Sequence, residues 1–271
     1  MRDVSAPDLI HPAAIALTGG AGVVYLLAAR AQWQRLREPA APAGEDGRWW
    51  WIAFTVQSAA LLVSLFDAGH RSFAYGALAA WAGVAAVLFA GRFLTAPSRW
   101  LFALPLGAVV LLVAVAGIAS LGAPPEDGSA TWISRLHAAF MAAHLAAIVV
   151  SGAAGGLYLV VTARLKSADA RATSLPALPV LERLLERGLL WGTALLLGGL
   201  AVGGAAIRIS QTFQLLHPTA LLGLVEFGLL VAILAMHRTR SLTRRAVAVG
   251  AIACLSMALL GTISLVVIAH G

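Results

Sequence analysis

The stretch "RLHAAFMAAHLAAIVVSGAAGGLYLVVTARLK", residues 135–166, decides the fold. Between Arg135 and Arg164 it contains no Asp, Glu, Lys or Arg. A bilayer's hydrocarbon core is about 30 Å thick, and a helix rising about 1.5 Å per residue crosses it with about 20 apolar residues. The segment therefore predicts a membrane-spanning helix over 134–162. Gly152 and Gly156 lie four residues apart within it, as do Gly199 and Gly203 in a later run, and such pairs let neighbouring helices approach closely.

The rest of the chain repeats this pattern. Of its 271 residues, 60% are hydrophobic and 11% are charged, whereas a soluble domain carries about 25% charged residues. Eight spans are predicted, at 10–30, 49–67, 73–91, 100–121, 134–162, 188–207, 219–237 and 246–269. The fold class is all-α: one polytopic integral membrane domain over residues 1–271, with no segment left for a sizeable soluble domain. The single cysteine, Cys254, excludes an internal disulfide, and there is no C-x-x-C-H for covalent haem attachment. The N-terminal "MRDVSAPDLI" has no basic n-region and two aspartates, so no cleavable signal peptide is expected.

The net charge of +7 belongs to the connections and is not a nucleic-acid signal. Connections 31–48, 92–99, 163–187 and 238–245, with their flanks, hold all 19 Lys and Arg except Arg2, Arg71, Arg135 and Arg208. Positive charge is retained on the cytoplasmic side. Both termini and the acidic loop "GAPPEDGSA" are thus expected outside, in a bacterial-type inner (plasma) membrane. Within 163–187, "LPALPVLERLLERG" spaces Leu178, Leu181, Leu184 and Leu185 for an amphipathic helix. It would be either a separate surface helix or an extension of the sixth span. The aromatic "RWWWIAF" at 48–54 reads as an interfacial belt on the cytoplasmic side.

Five of the seven histidines, His11, His70, His137, His217 and His270, map to outer span ends or outer connections. His237 lies at the inner end of the seventh span. His144 follows His137 by two helical turns and shares its face. A histidine cluster on one membrane face suits haem, a transition metal or a proton relay. Zinc favours closely spaced ligands, whereas two imidazoles from distant helices suit the axial positions of haem. The outer face also offers Asp67, Glu126 and Asp127, which form no zinc motif. Arg71, Arg135 and Arg208 lie on the same outer face, where an arginine fork pairs with a carboxylate or simply marks the interface. Glu226 falls mid-span in "LGLVEFGLL". At that depth a carboxyl group serves a proton or ligand route, or is protonated and bonded to a neighbouring helix.

These residues resemble the membrane-embedded cytochrome c assembly proteins of the CcsA type, in particular the shorter HemX-like members. The resemblance covers most of the chain and is closest over 130–271. "RLHAAFMAAHLAAIVVSGAAGGLYLVVTARLK" looks like the family's span that opens on an external haem-ligating histidine, here His137. "LPALPVLERLLERGLLWGTALLLGGLAVG" resembles the amphipathic lead-in and the span after it. "AILAMHRTR" resembles the span that ends on an intramembrane haem ligand, here His237. "LLGTISLVVIAHG" resembles the last span, with the second external ligand at His270. "HRSFAYGALAAWAG" is similar to the third span. The family's external loop with its W-x-W-D-like core reads "IRISQTFQLLHPTALL" here, without Trp or Asp and with Pro218 retained.

The resemblance implies non-covalent b-type haem bound through His137 and His270, with His237 as a further ligand. His144, Arg135, Arg208 and Glu226 are secondary candidates. It also implies a role in moving or holding haem during cytochrome c assembly, as an accessory and not the bond-making catalyst. The partners implied are an assembly membrane protein and apocytochrome c. Two other functions remain open: a HemX-like regulator of tetrapyrrole synthesis at the glutamyl-tRNA reductase step, and a proton-coupled small-solute transporter built around Glu226 and His144.

Overall fold

A computed structural model describes residues 6–37, 46–66, 71–91, 109–111, 113–114, 132–167, 176–210 and 218–270. The described residues form seven helices and no strand: α1 (Ala6–Arg37), α2 (Asp46–Leu65), α3 (Arg71–Gly91), α4 (Trp132–Lys166), α5 (Leu178–Ser210), α6 (Pro218–Arg238) and α7 (Arg244–His270). Five of them contain runs long and apolar enough to cross a membrane: Leu9–Ala31, Leu136–Lys166, Leu178–Ala205, Ala220–Arg238 and Arg244–Thr262. Helices α2 and α3 coincide with the segments expected at 49–67 and 73–91. The expected span at 100–121 lies outside the described residues, apart from Val109, Val110, Leu111, Val113 and Ala114. All but Leu111 of these are buried.

α4 is the hub of the bundle and packs against α3, α5 and α7. Of its apolar window, 61% is buried, against 17% for α6, so α4 is the interior helix and α6 the most peripheral. α1 and α2 join through the phenol of Tyr25, which donates to Gln57 Oε1 at 3.0 Å, and through its ring, 5.4 Å from that of Trp50. α2 and α3 join where Trp81 Nε1 donates to Ser58 Oγ at 3.0 Å and stacks on Phe54. The three tryptophans expected as an interfacial belt divide their roles. Trp49 and Trp51 are exposed, whereas Trp50 is buried against Tyr25 as part of the core.

The two alternatives for 176–187 are resolved by continuity. From Leu178 the chain runs as one helix into the sixth expected span. Leu181, Leu185 and Leu189 are buried on one stripe, while Arg183 and Arg187 are exposed. The segment is therefore an amphipathic extension of α5. At the same end of the bundle, α6 stops in a Schellman turn beside the start of α5. Arg240 N–H donates to His237 O and Ser241 N–H to Met236 O, with Arg240 in the left-handed region at φ 56°. Thr243 then caps α7, its hydroxyl accepting from Ala246 N–H.

The glycine pair expected at 152 and 156 is shifted by one residue. Gly152 lies against Leu255, and Gly155 faces the α7 backbone: a Cβ there would stand 2.8 Å from Ala248 O. A Cβ on Gly156 would meet nothing within 4 Å. Because the obstacle at Gly155 is backbone, no side-chain rotation relieves it. Gly155→Ala should therefore destabilise the protein by about 1–3 kcal/mol. Gly156→Ala should be neutral or add up to about 1 kcal/mol through helix propensity. Thermal unfolding of both variants in the same detergent checks this, and a reversed ranking would refute the α4–α7 contact.

Candidate functional site

Every seven residues along α4, a polar side chain donates a hydrogen bond to a backbone carbonyl of α5. His137 Nδ1 reaches Gly199 O at 2.8 Å, His144 Nδ1 reaches Gly192 O at 2.9 Å, and Ser151 Oγ reaches Leu185 O at 2.9 Å. Each step of seven up α4 matches a step of seven down α5, so the helices are antiparallel and locked in register. Seven residues are close to two helical turns, which keeps all three donors on one face. A carbonyl has two lone pairs, so it can accept from across the seam while still serving its own helix.

These bonds fix the tautomers. A carbonyl only accepts, so Nδ1 of His137 and of His144 must carry the proton. In neutral His137 that leaves Nε2 with a lone pair, and Nε2 makes no hydrogen bond among the described residues. The ring is half-buried and lies over Gly203, where a Cβ would come within 3.0 Å of Cε1. A neutral imidazole anchored by Nδ1–H to a carbonyl is the form in which histidine ligates a metal. His137 is thus held in a tautomer whose Nε2 lone pair can bind a metal or accept a proton.

One step deeper, His144 meets Glu226 of α6, Nε2 to Oε1 at 3.1 Å, with both side chains buried. Since Nδ1 is committed to Gly192, one further proton lies between Nε2 and Oε1. Either a carboxylic acid donates to the imidazole or an imidazolium donates to the carboxylate. Both arrangements leave the pair with zero net charge, which avoids the large cost of an isolated charge away from water. The dyad ties α4, α5 and α6 together at one point.

His237 is elsewhere. Its Nε2 lies 2.8 Å from Glu186 Oε1, near the start of α5, and its Nδ1 is buried without a partner. Beside it, Arg244 pairs with Glu182. Along α5, Glu186 and Gly199 are about 20 Å apart, so His137 and His237 serve opposite ends of the bundle. Helix α7 reaches His270, but its side chain, like those of Arg135 and Arg208, lies outside the described residues. The same holds for His70, His217, Arg71, Asp67, Glu126, Asp127 and the loop 211–217. His11 is buried between α1 and α3, edge-on to Phe73 at 5.3 Å. Among the described residues no group of three or more His, Cys, Asp or Glu is arranged to hold a metal ion.

No family model, curated protein or solved structure matches the chain. Sequence reasoning named His144 and Glu226 but not the carbonyl that orients them. The signal was present in the spacing: His137, His144 and Ser151 repeat at seven, as do Leu185, Gly192 and Gly199. It also missed the Glu186–His237 and Glu182–Arg244 pairs, which join residues far apart in the chain.

Removing either member of the dyad strands the other. His144→Ala and Glu226→Ala should each destabilise the protein by about 1–3 kcal/mol. The double variant should fall short of additivity by about 1–2 kcal/mol. Glu226→Gln keeps a donor for Nε2 and should stay within about 1 kcal/mol of the parent. A double-mutant cycle by thermal unfolding measures all three, and strict additivity would deny the coupling.

Proposed function

We propose that the chain is a haem-handling membrane protein acting in cytochrome c assembly. It holds b-type haem non-covalently toward the outer face of a bacterial-type plasma membrane. In this proposal the chain crosses the bilayer eight times, 100–121 included, with both termini outside. The basic connections at 31–48, 92–99, 163–187 and 238–245 face the cytoplasm.

The observation that carries the proposal is the state of His137. Its Nδ1–H is fixed on Gly199 O, which leaves the Nε2 lone pair for a ligand. The anchoring bond also sets the ring's orientation before any ligand arrives. His270, on the last turn of α7, would hold the iron together with His137, and Arg135 and Arg208 would pair with the propionates. Haem, when bound, would supply a redox-active iron. The chain's own part is to bind, orient and release, leaving bond formation to an assembly partner and apocytochrome c. The Nε2 of His237 is committed to Glu186, so binding at the outer face does not depend on it.

A second function, proton-coupled solute transport, is favoured by one observation. The buried His144–Glu226 dyad shares one proton where an ionisable pair is otherwise expensive. The two functions separate on one protein. Haem added to the purified chain should give a shifted, sharpened Soret band that saturates, and His137→Ala should weaken binding at least about tenfold, while Glu226→Gln leaves it unchanged. A titration that leaves only the broad band of free haem, together with proton-driven uptake abolished by Glu226→Gln, would assign transport instead.

A further inference from the structure

The turn between α6 and α7 and the start of α5 line a half-open cleft of about 560 Å³, within the about 300–1,000 Å³ usual for small-molecule sites. Its walls divide by chemistry. Arg238, Arg240 and Arg244 supply cationic groups, and Leu190, Leu234 and Leu242 supply an apolar side. Glu186 also lines the cavity, its carboxylate engaged by His237, and Glu182 beside it is engaged by Arg244. Arg238 and Arg240 have no ion pair among the described residues, and both are exposed. His237 also lines the cavity, with its Nδ1 buried and unpartnered.

The backbone gives an independent reason to regard the site as built. Arg240 occupies the left-handed position of the Schellman turn, at φ 56°, where glycine is the usual residue. An arginine held at a position where glycine is less strained points to a use for its side chain, and that side chain lines the cavity.

We propose that this cavity binds the headgroup of an anionic phospholipid, the phosphate meeting Arg238 and Arg240 and the glycerol and upper acyl chains lying on the leucine wall. The apolar side selects a lipid over a free phosphate. Leu190 and the adjacent Trp191 are exposed, so the wall continues onto a surface that faces lipid. Basic pockets between membrane helices take such headgroups. The site is separate from His137 and does not rest on haem binding.

Native mass spectrometry of the full chain, with phosphatidylglycerol and phosphatidylcholine supplied in equal amounts, tests this. The parent should retain phosphatidylglycerol preferentially. Arg238→Gln and Arg240→Gly should each reduce that preference about fivefold. Arg245→Gln, an exposed cation on the same turn that does not line the cavity, should not. Arg240→Gly relieves the backbone, so its thermal stability should equal or exceed the parent's, which separates lost binding from lost folding. Equal retention of the two lipids, or an equal loss in Arg245→Gln, would overturn the site. Displacement of phosphatidylglycerol by inorganic phosphate alone would reassign it to a soluble anion.

Discussion

A helix carbonyl already bonded within its own helix still has a lone pair, and α5 offers three such carbonyls to α4. The bonds from His137, His144 and Ser151 set how the two helices lie together. α4 in turn packs against α3 and α7, so the register of this seam is passed to much of the bundle. The same bonds decide which imidazole nitrogen is free, and so what chemistry each histidine can perform. Packing and tautomer are set by one group of hydrogen bonds.

Within lipid, hydrophobic burial does little to bring helices together, because lipid tails are as apolar as leucine. Close packing and polar ties must do it. α6 shows this most clearly, since only 17% of its apolar window is buried. Leu230 and Ile233 pack inward, and Glu226 reaches His144. The carboxyl is tolerated because its partner is itself oriented by Gly192, so Oε1 and both ring nitrogens are paired within the protein.

The helical fold, with helices long and apolar enough to cross a membrane, was legible because it follows from local composition. The charge-free run between Arg135 and Arg164 becomes the most buried helix, and the shared face of His137 and His144 follows from helical spacing alone. Contacts between helices were less legible. Nothing local distinguishes Gly155, which faces a backbone carbonyl, from Gly156, which faces open space. Trp50 turns inward while Trp49 and Trp51 stay outside, a division that depends on where Tyr25 lies. Arg240 in a left-handed turn contradicts the glycine preference that sequence reasoning relies on. Glu226 is a candidate by its depth in a span, and His137 by its place at a span end and by resemblance. The bonds that orient them depend on a register that no single segment encodes.

That register has a further property. A ladder whose rungs repeat every seven residues resembles a ruler with identical marks. If α4 slid past α5 by one interval, His144 would face Gly199 and Ser151 would face Gly192. The acceptors would again be backbone carbonyls, and the hydrogen-bond chemistry would barely change. The hydrogen bonds therefore hold the helices tightly without saying which mark is zero. The unrepeated contacts supply the zero: Glu226 awaiting His144, Gly203 leaving room for the His137 ring, and Gly188 lying against Ser151. Strength and uniqueness of the seam thus reside in different residues.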